Sequence, residues 1–323
     1  MENNIFTDLN AAEEPTNDID RRVSRKETSD LHLQNGERRK IAFIGLNSGA
    51  GTTTIALSFA KYISDLSKPK RKGLFKRKDS SHSIHSSTTL NSRTSHNSAI
   101  IPAAFIDVND ENKSLRGMTY DRIGIDKRFI GREFISFYHL ISSGQSVRGK
   151  CNPDMGINWA LRVPGEEFER NEITSIIRLV ENVQGSNVIL DISGNYGSSL
   201  CDEARIEELK ILLSDSDMIF VIIDPLPSSL MADRRKFAML KLLESEGHSV
   251  TWVINKYNRG VNIKEMRNYL HLRNYVTIPF LDEKELYTAE YNCETMLSTQ
   301  NSSQLLQNCF KSIAELHNFY MVL

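Results

Sequence analysis

The chain has 323 residues, 40% hydrophobic and 25% charged, with a formal net charge of −1, which fits one large soluble α/β domain with appendages and a sizeable core. No run of 18 apolar residues occurs and the first 40 residues are polar, so neither a membrane-spanning helix nor a secretion signal is expected. Cys151, Cys201, Cys293 and Cys309 lack metal-ligand spacing, so reduced thiols in a cytoplasm are the expectation.

Residues 1–38 mix charges of both signs with few large apolar residues. They are expected to form a disordered tail, with a short helix near Asp18–Lys26. "KIAFIGLNSGAGTTTIALSFAKYI" (Lys40–Ile63) then reads as a strand, a glycine-rich turn and a helix. The segment 66–99 carries eight Lys/Arg against one acid as far as Ser98 and is then rich in Ser, Thr, His and Asn. It is expected to be a mobile insertion in an otherwise acidic domain spanning 39–323. His82, His85 and His96 lie within it without the spacing of a metal site.

After the insertion, "AIIPAAFIDVND" is an apolar run ending in acids, as expected of a buried parallel strand. Further strands are expected at Ile157–Val163, Asn187–Ser193, Met218–Asp224, Val250–Asn255 and Tyr275–Phe280. Helical patterns cover Ser58–Leu66, Phe129–Ile141, Glu172–Val183, Ala204–Leu213, Met231–Glu244, Ile263–His271 and Ser302–Phe319. This alternation predicts a doubly wound, mostly parallel sheet with helices on both faces and a ligand at the carboxyl ends of its strands.

The glycine-rich turn supplies the likeliest chemistry only through its backbone. Gly45, Gly49 and Gly51 give it freedom, and Ser48 and Ala50 let an anion approach amides at the positive end of a helix dipole. A usual phosphate loop adds a lysine, then a Ser/Thr for Mg²⁺. Here Thr52 stands where the lysine belongs.

"NSGAGTTTIALSFAKYI" resembles the deviant Walker A loop of the ParA/MinD superfamily of P-loop ATPases. "FIDVND" resembles that superfamily's second-strand acidic motif, "NVILDISG" its Walker B strand, "VINK" its nucleotide-base strand and "VTIPF" the strand before its adenine-contacting loop, all in order over residues 40–320. The resemblance implies a P-loop NTPase fold of the SIMIBI type, with ATP or ADP and Mg²⁺ as cofactors. It implies that Ser48, Gly49, Ala50, Gly51, Thr52, Thr53 and Thr54 bind nucleotide, that Thr53 and Asp191 hold the metal, and that Asn255 and the backbone after Pro279 meet the adenine. "NKYN" also resembles a guanine-reading motif, but Asn258 replaces its Asp.

The departures concern catalysis. Asn47 stands at the signature-lysine position, Thr52 at the phosphate-loop lysine and Asn109 at the water-activating acid, leaving Asp107 and Asp110 as weak catalytic candidates. Losing one such charge donor costs on the order of 10²–10³ in rate, so the resemblance implies binding with poor hydrolysis. The TadZ/CpaE-like branch, which serves Flp/Tad-type pili, tolerates such a loop. A hydrolysis-poor localisation or assembly factor for a pilus or another polar machine is therefore expected, cytoplasmic or peripheral at the inner membrane or cell pole, as a homodimer or with a protein partner. The alternatives are an active ATPase that positions DNA or a membrane complex through Lys61, Lys256 or an arginine in trans, and a scaffold without nucleotide.

"KPKRKGLFKRK" (Lys68–Lys78) sets seven cations around Leu74–Phe75. It is a solvated loop or a peripheral contact with anionic membrane, with nucleic acid the weaker alternative. Arg234, Arg235 and Lys236 are expected on a solvated basic face. The last helix, with Leu305, Leu306, Cys309, Phe310, Ile313 and Leu316 on one stripe, is expected to pack into the core.

Overall fold

The computed structural model describes residues 38–68, 101–108, 118–166, 172–196, 203–230 and 233–317. The expected tail before Arg38, the basic run beyond Lys68, the three insertion histidines, Asn109 and Asp110 lie outside the described residues.

Apolar runs place the strands, because a parallel strand covered on both faces needs no polar alternation. The strands are β1 (Arg39–Gly45), β2 (Ala103–Asp107), β3 (Pro153–Asp154), β4 (Ile157–Ala160), β5 (Asn187–Ile192), β6 (Met218–Ile223), β7 (Val250–Tyr257) and β8 (Tyr275–Pro279). They form one sheet in the order β3-β4-β2-β5-β1-β6-β7-β8. Every adjacent pair is parallel except the short β3–β4 pair. The chain winds from β1 towards β2 on one side and crosses from β5 to β6 on the other, so winding reverses at β1. Ligands of such sheets sit beyond the carboxyl ends of the strands at that reversal.

The described helices are α1 (Thr52–Leu66), α2 (Met118–Ile123), α3 (Ile125–Arg128), α4 (Phe137–Ser142), α5 (Glu172–Asn182), α6 (Glu203–Ser214), α7 (Pro227–Leu230), α8 (Arg234–Glu246), α9 (Ile263–Tyr269), α10 (Glu283–Tyr291) and α11 (Asn301–Leu316). Residues of α1, α2, α10 and α11 pack on one face of the sheet, and residues of α4, α5, α6, α8 and α9 on the other. The helix expected over Phe129–Ile141 is broken. Gly131 takes φ +76°, and Ser136 caps a new start by accepting from the His139 amide. In α11, Leu306, Phe310 and Ile313 are buried as expected, but Leu305 and Leu316 face outward. No described helix is long and apolar enough to cross a membrane.

One aromatic cluster fixes the helix that carries the glycine-rich turn. Phe59 of α1 lies 5.2 Å from Phe43 of β1, 5.9 Å from Phe220 of β6 and 5.3 Å from Phe310 of α11. Aromatic pairs at such spacing add to the burial of large apolar area. The far end of α11 is held by His317, which bonds Ser249 Oγ at 3.1 Å and Thr251 Oγ1 at 2.8 Å through its two ring nitrogens.

Burial lowers the His317 pKa below its ordinary 6.5, so the unfolded chain takes up this proton more readily than the folded one. The stability contributed by neutral His317 is complete above pH 6.5 and is lost as the pH falls towards the lowered value. Urea midpoints at pH 7.5 and pH 5.5 should therefore differ more for the natural chain than for His317→Gln; equal differences would show that this ring does not govern the loss.

Candidate functional site

The glycine-rich turn follows β1, the strand at which winding reverses. Leu46 N–H still bonds Ile222 O at 2.9 Å, after which the chain leaves the sheet. Gly49 (φ +75°) and Gly51 (φ +89°) occupy the left-handed region that L side chains rarely adopt. Gly51 is the N-cap of α1 and brings no side chain to cap it, so the first-turn amides keep no acceptor within the helix. A side chain added to Gly49 would meet nothing within 4 Å, whereas one at Gly51 would reach 2.5 Å from Asn255 Nδ2. The turn is thus open on one side and braced on the other, as an anion cradle must be.

The bracing comes from β7. Asn255 is buried, and its Nδ2 donates to Ala50 O at 2.8 Å. The register of β7 against β8 slips between Ile254 and Tyr257, and Lys256 sits at φ +56°. Such an irregularity re-aims a side chain. Here Lys256 Nζ donates to Gly49 O at 2.8 Å and to Asp224 Oδ2 at 2.7 Å. A cation therefore reaches the turn from β7. Lys61 pairs instead with Asp65 along α1.

Thr52 does not replace the missing ammonium. It is buried, and its Oγ1 would lie 2.6 Å from a Cβ added to Gly45. The hydroxyl is folded beneath the turn, against the end of β1. Asn47 Nδ2 bonds Ser48 O at 3.2 Å.

The carboxylates lie on the neighbouring strands. Asp191 is directly opposite Phe43 on β1 and Asp107 on β2, and paired residues of parallel strands project to one face. Phe43 packs with α1, so both acids share the α1 side of the sheet; both are buried. Tyr138 OH donates to Asp107 O and fixes the end of β2. Thr53 and Thr54 are half-buried on the first turn of α1. Pro279 ends β8, where Phe280 N–H bonds Tyr257 O at 2.9 Å. The fold thus brings Ser48–Thr54, Asp107, Asp191 and Asn255 to the carboxyl side of the sheet, with Pro279 at the end of β8. A separate open groove of about 610 Å³ between β8 and α11, lined by Tyr275, Thr277 and Glu315 among others, holds none of these residues.

Lys236 corrects the expectation of a solvated basic face. Arg234 and Arg235 are exposed, but Lys236 has no solvent exposure. Its ammonium donates to Gly194 O and, at 3.4 Å, to Gly45 O, with Asp233 Oδ2 3.7 Å away. Buried charge needs such partners. Gly194 itself lies so close to the turn that a Cβ there would be 1.9 Å from Asn47 O. Lys236 and this contact hold the ends of β1 and β5 together.

An anion of several phosphates fits this donor set: unsatisfied amides, a nearby lysine and an open side at Gly49. A hydroxyl and a carboxylate, Thr53 and Asp191, suit a hard cation such as Mg²⁺. Among the described residues no group of three or more His, Cys, Asp and Glu could hold a metal ion, and Mg²⁺ is characteristically held by one or two carboxylates together with substrate phosphates.

No protein-family model matches the sequence, and no curated protein matches it either. Solved structures do match in fold. The MinD-containing MinC:MinD cell division complex of Aquifex aeolicus aligns at 13% identity and TM-score 0.52, over 88% of this chain and 98% of that one. A structure described as a plasmid partition protein of Borrelia burgdorferi bound to AMPPNP aligns at 13% identity and TM-score 0.53, over 86% and 100%. The McdA–ATP complex of Cyanothece aligns at 13% identity and TM-score 0.53, over 89% and 99%. At this identity the likeness is one of fold, and it extends over nearly the whole of each of those chains.

Replacing Lys236 by Met should cost about 3–5 kcal/mol, because it leaves Asp233 and two loop carbonyls buried without the ammonium. Urea unfolding measures this; a loss below about 1 kcal/mol would show that the cation does not bind the two loops together.

Proposed function

We propose that this chain is a nucleotide-binding, hydrolysis-poor localisation or assembly factor of ParA/MinD type. The observation that carries the reading is the glycine-rich turn itself. It presents left-handed glycines and uncapped first-turn amides at the winding reversal of the sheet, while Thr52 turns its hydroxyl away beneath it. Amides and the helix dipole suffice to hold phosphate. Stabilising the charge that spreads over a transferring phosphoryl group needs more.

In this reading Ser48–Thr54 hold the phosphates of ATP or ADP, and Thr53 and Asp191 hold Mg²⁺, which supplies neutralising charge between phosphate oxygens when bound. Asn255 and Lys256 keep the turn in shape by bonding Ala50 O and Gly49 O. The fold shared with the AMPPNP-bound and ATP-bound structures supports nucleotide as the ligand. Bound nucleotide would order the loops after Asp107 and Asp191, and these form part of the surface offered to a second copy or a protein partner. With Asn47 in place of the signature lysine, a dimer depends less on nucleotide than a sandwich joined by that lysine. The degenerate turn supports a TadZ/CpaE-like role in Flp/Tad-type pilus assembly, and the basic run 68–78 would add peripheral contact with anionic membrane. Neighbouring genes for a secretion ATPase and pilins would support the pilus assignment.

Calorimetry should show Mg·ATP binding by the full chain, weakened at least about tenfold by Asp191→Asn or by chelating Mg²⁺. Phosphate release should stay on the order of 10²–10³ below that of a lysine-bearing loop. Brisk release abolished by Asp191→Asn would instead establish an active positioning ATPase, and absence of binding heat would establish a scaffold.

A further inference from the structure

Arg122 belongs to none of the sequence motifs, yet the fold brings it to the candidate site. Its Nη2 donates to Thr54 Oγ1 at 2.9 Å, across 68 residues of sequence, and lies 2.7 Å from Glu290 Oε1 on α10. Thr54 is in the first turn of α1, so the guanidinium stands at the helix end towards which the loop amides converge. Its side chain is 16% exposed, against 46% for Glu290, so the cation is enclosed while its counter-ion remains largely in water. Among the described residues Nη1 and Nε meet no protein acceptor, which leaves most of a five-donor fork unused. Desolvation is the larger influence on the group and lowers its pKa from 12.5, while Glu290 and Asp191 act in the opposite direction. An arginine remains charged under either influence.

A single half-exposed carboxylate is a modest reason to enclose a guanidinium. A phosphate is a better one, since the planar fork matches its oxygens and a buried setting strengthens the bond.

We propose that Arg122 is a phosphate-binding residue: from α2 it supplies, at the first turn of α1, positive charge that the turn lacks at Thr52, and Glu290 is its counter-ion when no nucleotide is bound. The proposal rests on the nucleotide reading given above. It adds a ligand contact outside the glycine-rich turn, and it sets phosphate and Glu290 in competition for one cation.

That competition separates the proposal from a purely structural ion pair, because Arg122→Gln and Glu290→Gln break the same pair. The full chain is titrated with Mg·ATP and with sodium tripolyphosphate by calorimetry, as the natural protein, Arg122→Gln, Arg122→Lys and Glu290→Gln. Arg122→Gln should weaken both ligands by the same factor, about 10- to 100-fold, because the lost contact is to phosphate rather than to the base. Arg122→Lys should recover only part of the loss, and Glu290→Gln should bind as tightly as the natural chain or more tightly. Weakening of similar size in Arg122→Gln and Glu290→Gln, or an undiminished affinity in Arg122→Gln, overturns the proposal. If Arg122→Gln does not fold, the Glu290→Gln affinity decides alone. Failure of the natural chain to bind either ligand overturns the nucleotide reading itself, whereas binding that ignores Arg122 overturns only the assignment of this residue.

Discussion

The close approach of the ends of β1 and β5 is the constraint on which the site depends. Gly194 leaves no room for a side chain against the Asn47 carbonyl, and Gly45 leaves little against Thr52 and Gly194. Carbonyl oxygens gathered this tightly repel one another and have lost water, so they need a donor. Lys236 is that donor, brought in from α8 on the opposite face of the sheet. The glycine-rich turn can present its amides outward because its other side is fixed from beneath by Lys236 and from β7 by Asn255 and Lys256.

This arrangement redistributes charge rather than removing it. The position that would hold a loop lysine carries a buried hydroxyl, yet three cations surround the turn from other elements. Lys256 touches its outer bend, Arg122 its exit into α1 and Lys236 its base. Only the first two are placed at the open side, and each already has an acid, Asp224 or Glu290. Cations held by acids before a ligand arrives favour reversible capture of an anion. They are less suited to stabilising the extra charge of a transition state, which requires donors fixed for that charge alone. Retained binding with weak chemistry is the physical consequence.

Much of the sheet was legible in the sequence. Runs such as Met218–Ile223 have no polar alternation because both faces are covered, and the acids at Asp107 and Asp191 mark carboxyl ends. The site motifs were legible for the same reason: glycines and strand-end acids are needed in fixed order along the chain. The break at Gly131 and Ser136 was missed because apolar spacing continued through it. Lys236 was misplaced because a run of Arg-Arg-Lys looks solvated, and its burial depends on carbonyls about 40 and 190 residues away. Arg122 carried no local signal at all; only the packing of α2 against α1 and α10 gives it meaning. The inward turn of the Thr52 hydroxyl is likewise a property of the folded loop rather than of its composition.

The central claim is that the amides of the glycine-rich turn grip a polyphosphate without a lysine in the loop. Amide hydrogen exchange of the peptide covering 46–54, followed with and without Mg·ATP, addresses those amides themselves. Strong slowing at Ser48–Thr54 on adding Mg·ATP, beyond any change in the distant groove between β8 and α11, is the predicted result. Unaltered exchange in that peptide while nucleotide is demonstrably bound would place the ligand elsewhere and contradict the account.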